Sequence, residues 1–265
     1  MKTEIPKFRK TNRKSINSSQ QKLVTREYLD NEKQFPLVIK PAVKGLDLIS
    51  WSSNNREFIE KQLLHHGAIL FRNCQINSAA KFEKFIATSC DEALEYSYRS
   101  SPRGEGFGLS WQTVFQTTDK QKVEAYCRQN NIQWEWKKGD RLRTKQIQPA
   151  MVFHPQTKEK VWVNHAAFFH ISTLEPQIRQ ALMAEFKEED LPTNTYYGDG
   201  SPIETSILDH LRHAYQEEMI TFSWQQGDVL LLDNMLVAHG RNPYEGFRKV
   251  LVGMAKEINH LDVLI

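Results

Sequence analysis

With 265 residues, 40% of them hydrophobic and 25% charged, the chain has the composition of a globular protein that is long enough for a sizeable core. Its 35 basic and 32 acidic residues give a net charge of +3, a balance too even to indicate nucleic-acid binding. No apolar run reaches membrane-spanning length, and the N-terminus lacks the apolar segment of a signal peptide. The scattered Cys74, Cys90 and Cys127 favour a reducing compartment, the cytoplasm, over a disulfide framework or a zinc site.

The first 20 residues predict a disordered basic tail. They are rich in Lys, Arg, Ser and Gln and have no apolar periodicity. An arm that binds nucleic acid or a partner is the alternative that this composition leaves open. Residues 21–265 contain no internal repeat and no long linker, so we predict a single domain there.

Apolar periodicity predicts an alternation of strands and helices along this domain. The predicted strands are 35–39, before a break at Pro41, then 68–72, 134–136 and the two arms of a hairpin within 152–165. The predicted helices are 54–64, with a cap at Asn54 and a stop at Gly67, and 79–88, 119–130, 175–186 and 204–218. This alternation predicts an α+β fold.

The strongest functional pattern lies near the end of the chain. A turn at Gly227 precedes the apolar run Val229–Leu232, which predicts a buried strand that leads towards His239. Arg248 opens a second predicted strand, 250–254, so the two strands would bring an imidazole and a guanidinium into one pocket. An imidazole suits a transition metal, and a guanidinium fork suits a carboxylate. The alternative is a purely structural pair, with a buried His239 and Arg248 in an ion pair.

The remaining histidines give weaker signals. His165 and His170 are five residues apart, a spacing that fits neither a strand face nor a helix face, so substrate lining or aromatic packing is favoured over a shared metal. His210 and His213 share a helix face, where a solvated surface is favoured over a metal pair. His260-Leu261-Asp262 matches two ligands of an iron facial triad, but we interpret it as a chance match in the last six residues.

Residues 225–241, QQGDVLLLDNMLVAHGR, resemble the distal-histidine segment of the TauD/TfdA family of Fe(II)- and 2-oxoglutarate-dependent dioxygenases. Segments 68–73, 111–120, 196–203 and 248–250 are also similar to that family, and the resemblance extends over residues 35–258. Its nearest branch comprises amino-acid hydroxylases of natural-product pathways. The resemblance implies a double-stranded β-helix (a jelly roll, as in clavaminate synthase-like proteins) with flanking helices.

The resemblance also implies roles for three residues. His239 would be the distal ligand of Fe(II), and Arg248 would bind the far carboxylate of 2-oxoglutarate, with Arg241 nearby. The substrate would be an amino acid or an aminoacyl group bound to a carrier protein.

One family segment has no counterpart in this chain. The family places a His-x-Asp or His-x-Glu ligand pair between a Ser-Pro-Arg segment and a Gly-Phe-Gly-Leu-Ser-Trp segment, but here Ser101-Pro102-Arg103 runs almost directly into Gly106. We interpret this as an internal deletion that leaves the core incomplete. Two hypotheses follow: a tailoring dioxygenase by family, or an inactive relative that acts as a binding or scaffold protein. We expect weak Fe(II) affinity and no coupled turnover of 2-oxoglutarate.

Overall fold

The structure, a computed structural model, describes residues 20–90, 94, 110–247 and 249–258 of the chain. The strands are β1 (Val24–Asp30), β2 (Phe35–Pro41), β3 (Ala68–Phe71), β4 (Gln133–Lys137), β5 (Arg141–Lys145), β6 (Met151–Phe153), β7 (Lys160–Trp162) and β8 (Val229–Leu232). The α-helices are α1 (Leu48–Asn54), α2 (Arg56–His66), α3 (Ala79–Ser89), α4 (Trp111–Phe115), α5 (Lys120–Gln129), α6 (Ala166–Phe169), α7 (Pro176–Glu185) and α8 (Thr205–Glu218). This mixture confirms the predicted α+β class.

The largest sheet has four strands in the order β1-β2-β3-β8. β1 pairs with β2 in the antiparallel sense, β2 with β3 in parallel, and β3 with β8 in the antiparallel sense. All four residues of β3 are buried, as expected for a central strand that is covered on both faces. In the last pair Ala68 lies opposite Leu232, so a strand from the end of the chain completes a sheet that begins near residue 24.

Helices α1, α2 and α3 pack with this sheet around what we call the N-terminal core. Ile39 and Phe71 contribute from the sheet, and Trp51, Ile59 and Phe85 contribute from the helices. The rings of Phe71 and Phe85 meet edge to face, with their centroids 5.4 Å apart. Burial of apolar surface on this scale is the main stabilising contribution available to the fold.

Gly67 ends α2 and also allows a close packing contact. Its φ of 71° lies in the left-handed region, and its N–H donates to the Leu63 carbonyl at 2.7 Å. A Cβ at this position would lie 2.5 Å from Cγ1 of Val237, closer than side chains can approach. Glycine is therefore favoured here both by the left-handed backbone and by the close approach of Val237.

A separate aromatic core lies between α4, α5 and the β4–β5 hairpin. Its fully or largely buried members are Trp111, Val123, Cys127 and Ile132. The Trp111 ring packs edge to face on Trp136 at 5.2 Å, and its N–H donates to the Asp140 carbonyl at 2.9 Å. This unit lies at the start of the segment that follows the undescribed residues 95–109.

Residues 146–258 have fewer buried side chains. Here β6 and β7 form a hairpin in which Val152 faces Val161, and Val152, Ala167, Ile171, Leu182, Leu208 and Val229 are the buried hydrophobic residues. Many large apolar side chains are exposed instead, among them Phe168 and Phe247. Within the described ranges, none of the helices has the length and apolar character needed to cross a bilayer.

Most of the predicted elements are confirmed. The predicted strands at 35–39, 68–72 and 134–136, the hairpin within 152–165 and the helices at 79–88, 119–130, 175–186 and 204–218 match observed elements to within a few residues. The predicted stop at Gly67 is observed, and so is the strand Val229–Leu232. Local patterns were sufficient at these positions because each element has a clear period and a clear end signal.

Other predictions are wrong. Residues 250–254 are not a strand: residues 250–253 are exposed, Met254 is half-buried, and the Met254 carbonyl accepts from the Leu94 N–H at 2.7 Å. Asn54 ends α1 and does not cap the next helix, which begins after Asn55. Pro41, predicted as a break after the strand, is the last residue of β2, so the strand extends two residues beyond the predicted 35–39.

Two expectations are not tested by the described residues. The described strands form sheets of four, two and two strands, so a complete double-stranded β-helix stays a prediction. The predicted tail over residues 1–20 falls outside the described residues, except that Gln20 begins a 3-10 turn.

Candidate functional site

The site begins at the C-terminal end of β8, where Asp233 organises a tight turn. Its Oδ1 accepts from the Met235 N–H at 2.9 Å and from the Leu236 N–H at 3.4 Å. Its carbonyl accepts from the N–H groups of Leu236 and Val237 at 3.1 and 3.0 Å. Asp in this position is typical of turns because its carboxylate bonds backbone N–H groups two and three residues on. The turn delivers the chain to His239.

A buried histidine, His154, holds this turn from the β6–β7 hairpin. It is only 1% exposed, and its Nε2 lies 3.1 Å from Oδ2 of Asp233. Its Nδ1 accepts from the backbone N–H groups of Gln156 and Thr157 at 3.3 and 3.0 Å. Both ring nitrogens are therefore used, and the pair links residues 79 positions apart in sequence.

A second buried pair holds the opposite end of β8. The Arg72 guanidinium, directly after β3, contacts the Asp228 carboxylate at 2.9 Å, and the Asp228 side chain is fully buried. Arg72 also donates to the Ser223 carbonyl at 2.9 Å. The strand is thus fixed at both ends by a charged side chain that crosses to another element.

His239 and Arg241 are both exposed. The Arg241 guanidinium lies over the Tyr244 ring at 5.4 Å. Arg248 lies outside the described residues, so its predicted orientation towards His239 stays untested. The strand that it was predicted to open is absent, as described above.

Metal-binding capacity follows from the donors that surround these residues. Among residues 20–90, 94, 110–247 and 249–258, no three His, Cys, Asp or Glu side chains are grouped so that they could hold a metal ion. An Fe(II) facial triad needs two histidines and a carboxylate on one face. The described donors therefore do not fit Fe(II), although His260 and Asp262 lie outside the described residues.

The other histidines have ordinary packing roles. The exposed His165 ring contacts Phe169 edge to face at 6.5 Å, which agrees with aromatic packing. His170 bonds the Ser172 hydroxyl at 2.7 Å, and its partial burial, with Arg212 and Arg179 nearby, lowers its pKa. His213 pairs with Glu217 at 3.2 Å on the surface of α8, as the favoured interpretation expects.

Two of the cysteines, Cys74 and Cys127, are poor nucleophiles. All three are free thiols, as the sequence indicates. Burial, together with the nearby Asp228 carboxylate, raises the pKa of the Cys74 thiol to about 12. Burial also raises the pKa of Cys127. The thiol and not the reactive thiolate is therefore the form present near neutral pH.

Comparison with known proteins decides the family. The model for the taurine catabolism dioxygenase TauD, TfdA family, matches residues 109–255, more than half of the chain. This chain belongs to the TauD/TfdA family. Proteins of the family are generally dependent on Fe(II) and 2-oxoglutarate. The matched segment contains both His154 and His239.

Two curated relatives refine this assignment. The chain is 45% identical over 149 residues to the dapdiamide synthesis protein DdaC of Enterobacter agglomerans, which covers 56% of this chain and 45% of that protein. It is 30% identical over 158 residues to the clavaminate synthase-like protein At3g21360 of Arabidopsis thaliana, which covers 59% of this chain and 43% of that protein. This TauD/TfdA-family chain thus matches less than half of the length of either relative.

Sequence reasoning missed the pair of His154 and Asp233. The signal was present in part, since a histidine that ends an apolar strand arm and precedes a Pro-containing turn is not a usual surface residue. Asp233 likewise ends an apolar run. Nothing local indicated that the two residues meet.

Proposed function

We propose that this chain derives from a jelly-roll dioxygenase that uses Fe(II) and 2-oxoglutarate to hydroxylate an amino acid, or an aminoacyl group bound to a carrier protein, in secondary-metabolite biosynthesis. The family match over residues 109–255 and the similarity to a dapdiamide synthesis protein support this proposal. We assign the domain to residues 21–265. The free thiols support a cytoplasmic location.

The position of His239 carries the proposal. It lies within the family-matched segment, directly after the turn that Asp233 holds, and its imidazole is exposed and open to a metal ion. We assign His239 as the distal iron ligand. We assign Arg248 to the far carboxylate of 2-oxoglutarate, with Arg241 as a second cation nearby, because a guanidinium binds a carboxylate through two parallel hydrogen bonds.

The donor set favours a second candidate function. Since no group of three metal-binding side chains is present among the described residues, one imidazole would have to hold the ion alone. A single histidine does not provide the facial geometry that these oxygenases need. The second candidate is therefore an inactive relative that serves as a binding or scaffold protein.

Anaerobic calorimetry with Fe(II), with and without 2-oxoglutarate, tests the two candidates. We expect weak Fe(II) binding that His239→Ala abolishes and that His210→Ala, at another exposed histidine, leaves unchanged. We expect no succinate beyond the background in aerobic assays with amino acids. Succinate that forms in step with a hydroxylated product, and disappears in His239→Ala, would support the dioxygenase and exclude the inactive relative.

A further inference from the structure

The buried pair of His154 and Asp233 is unusual for a connection between a hairpin and a turn. His154 is 1% exposed, and the Asp233 side chain is 17% exposed. An apolar side chain at residue 154 would fill the same space without removing a carboxylate from water. The polar pair is therefore costly unless its hydrogen bonds specify one arrangement of the chain.

The hydrogen bonds fix the tautomer of His154. Its Nδ1 accepts from two backbone N–H groups, those of Gln156 and Thr157, so Nδ1 carries no proton. A neutral imidazole then carries its proton on Nε2. That Nε2–H group donates to Oδ2 of Asp233 at 3.1 Å. The ring therefore has one orientation in which all of these bonds form.

Asp233 transmits this orientation to the chain that follows it. Its other oxygen, Oδ1, accepts from the N–H groups of Met235 and Leu236, while its own N–H donates to the Gly67 carbonyl at 2.9 Å. One residue thus holds the sheet, the turn and the hairpin together. The direction in which the chain leaves β8 depends on all three.

Packing carries the constraint as far as Val237, and chain length then limits how far His239 can lie from it. Val237 lies so close to Gly67 that any side chain there would meet its Cγ1 at 2.5 Å. His239 is two residues further on, so its Cα remains within about 7 Å of the Cα of Val237. Arg241, four residues on, remains within about 14 Å.

We propose that His154 is a positioning residue for His239. Its Nε2–H bond to Asp233 fixes the turn at residues 233–237 and thereby places the imidazole of His239 and the guanidinium of Arg241. This positioning role rests on the function proposed above, in which His239 is the residue that binds the ligand.

Two substitutions of His154 separate positioning from simple packing. In His154→Gln the amide nitrogen occupies the place of Nε2 and can still donate to Asp233, but the acceptor for the Gln156 and Thr157 N–H groups is lost. In His154→Asn the amide oxygen occupies the place of Nδ1 and keeps those acceptor bonds, but the bond to Asp233 is lost. Both variants carry a neutral carboxamide, and Asn is one methylene shorter than Gln.

The effect of each substitution is measured as amide hydrogen–deuterium exchange in the full chain. We expect His154→Asn to raise the exchange rates of the Met235, Leu236 and Val237 amides at least tenfold, while His154→Gln changes them less than threefold. The amides of Gln156 and Thr157 should show the reverse order. The ring signals of His239 in NMR, identified by their loss in His239→Ala, should change in His154→Asn and stay close to wild type in His154→Gln.

We call these opposite exchange patterns of the two variants the crossover, and its observation supports the proposal. Equal changes at residues 235–237 in the two variants, or no change there in His154→Asn, would overturn it and leave His154 as a packing residue. If His154→Asn does not fold, Asp233→Asn removes the same hydrogen bond. Its amide oxygen still accepts from the turn N–H groups, but its amide nitrogen is a donor that faces the Nε2–H donor of His154. Selective exchange at residues 235–241 again supports the proposal, and unchanged exchange overturns it.

A separate measurement tests the proposed function independently of the positioning role. The Fe(II) affinity of the wild-type chain tests whether His239 binds metal, and the exchange pattern tests whether His154 positions it. Absence of Fe(II) binding together with the crossover would refute the iron-ligand role and retain the positioning role. Fe(II) binding without the crossover would support the iron-ligand role of His239 and refute the positioning role of His154.

Discussion

Residues 24–90 and residues 147–258 differ sharply in how far their apolar side chains are exposed. In the first region Ile39, Ile69 and Phe71 are 0% exposed. In the second, Phe247 is 100% exposed and Val252 is 75% exposed. The large exposed hydrophobic residues lie in the second region, from Ile147 onwards, with Val43 and Leu94 as exceptions.

This difference separates the part of the molecule that provides stability from the part that carries the proposed site. Apart from Val229 and Leu231 of β8, the residues of the N-terminal core precede the segment that matches the family, residues 109–255. His154, His239 and Arg241 all lie within the matched segment. β8 connects the two regions, because it belongs to the matched segment but pairs with β3 in the N-terminal sheet.

The largest expected effect comes from a cavity in the N-terminal core. Phe71→Ala should lower the free energy of unfolding by about 4 kcal/mol, the usual cost of removing a buried aromatic ring. Urea denaturation followed by circular dichroism measures it. Phe247→Ala is the matched control in the second region and should leave stability unchanged. Equal losses in the two variants would contradict the division into a stable and a weakly packed region.

A smaller loss is expected where β8 joins the sheet. Asp228→Asn leaves the Arg72 guanidinium near a neutral amide, and removal of one partner of a buried ion pair costs about 3 kcal/mol. Arg72 retains its bond to the Ser223 carbonyl, which limits the loss. The control is Glu218→Gln, which removes an exposed pair with Lys33 and should have no measurable effect. A loss no larger than the control would show that β8 does not depend on this pair.

The contact between Gly67 and Val237 tests the second connection between the regions. Gly67→Ala should cost about 2 kcal/mol, since the new methyl group requires both a left-handed backbone and space that Val237 occupies. Gly139→Ala has a similar φ, 75°, but nothing within 4 Å, and should cost only about 1 kcal/mol. Thermal unfolding of both variants gives the difference. Identical costs would mean that Val237 moves freely away from Gly67.

The smallest effect concerns pH. Partial burial, reinforced by the cations Arg212 and Arg179, lowers the pKa of His170 below its ordinary value of 6.5. Because the unfolded chain then binds the proton more readily, this contribution to stability is complete above pH 6.5 and is lost as the pH falls through the folded-state pKa. The loss should be under about 1 kcal/mol, given solvent screening. His170→Asn should remove this part of the acid dependence, which unfolding curves at pH 5 and pH 7.5 would reveal.

The sequence was most informative where structure depends on neighbours in the chain. The stop at Gly67, the strand β8 and the α5 helix behind Asp119 follow from local periods and end signals. β1 was not predicted, because its sequence VTREYLD does not alternate between apolar and polar residues, and its place in the sheet comes from pairing with β2. Residues 250–254 have strand-forming side chains but no partner strand among the described residues, so composition alone gave the wrong answer.

The candidate site shows the same limit. The turn before β8 and the strand that leads towards His239 could be read from residues 226–239, but the exposure of His239 could not, since the sequence indicated a pocket or a buried ring. The buried pair of His154 and Asp233 could not, since its two members are 79 residues apart and meet only after the hairpin packs against the sheet. The resemblance to a family assigned roles to residues but gave no information on the partners that hold them.

The pairing of β3 with β8 has a consequence for synthesis on the ribosome. About 160 residues separate the two strands, and at about 5–20 residues per second their translation takes roughly 10–30 s. During this time one edge of β3, a fully apolar strand, lacks the neighbour that it has in the finished protein. Nascent chains that end before residue 229 should therefore recruit chaperones or aggregate, and a supplied peptide with the β8 sequence should rescue them.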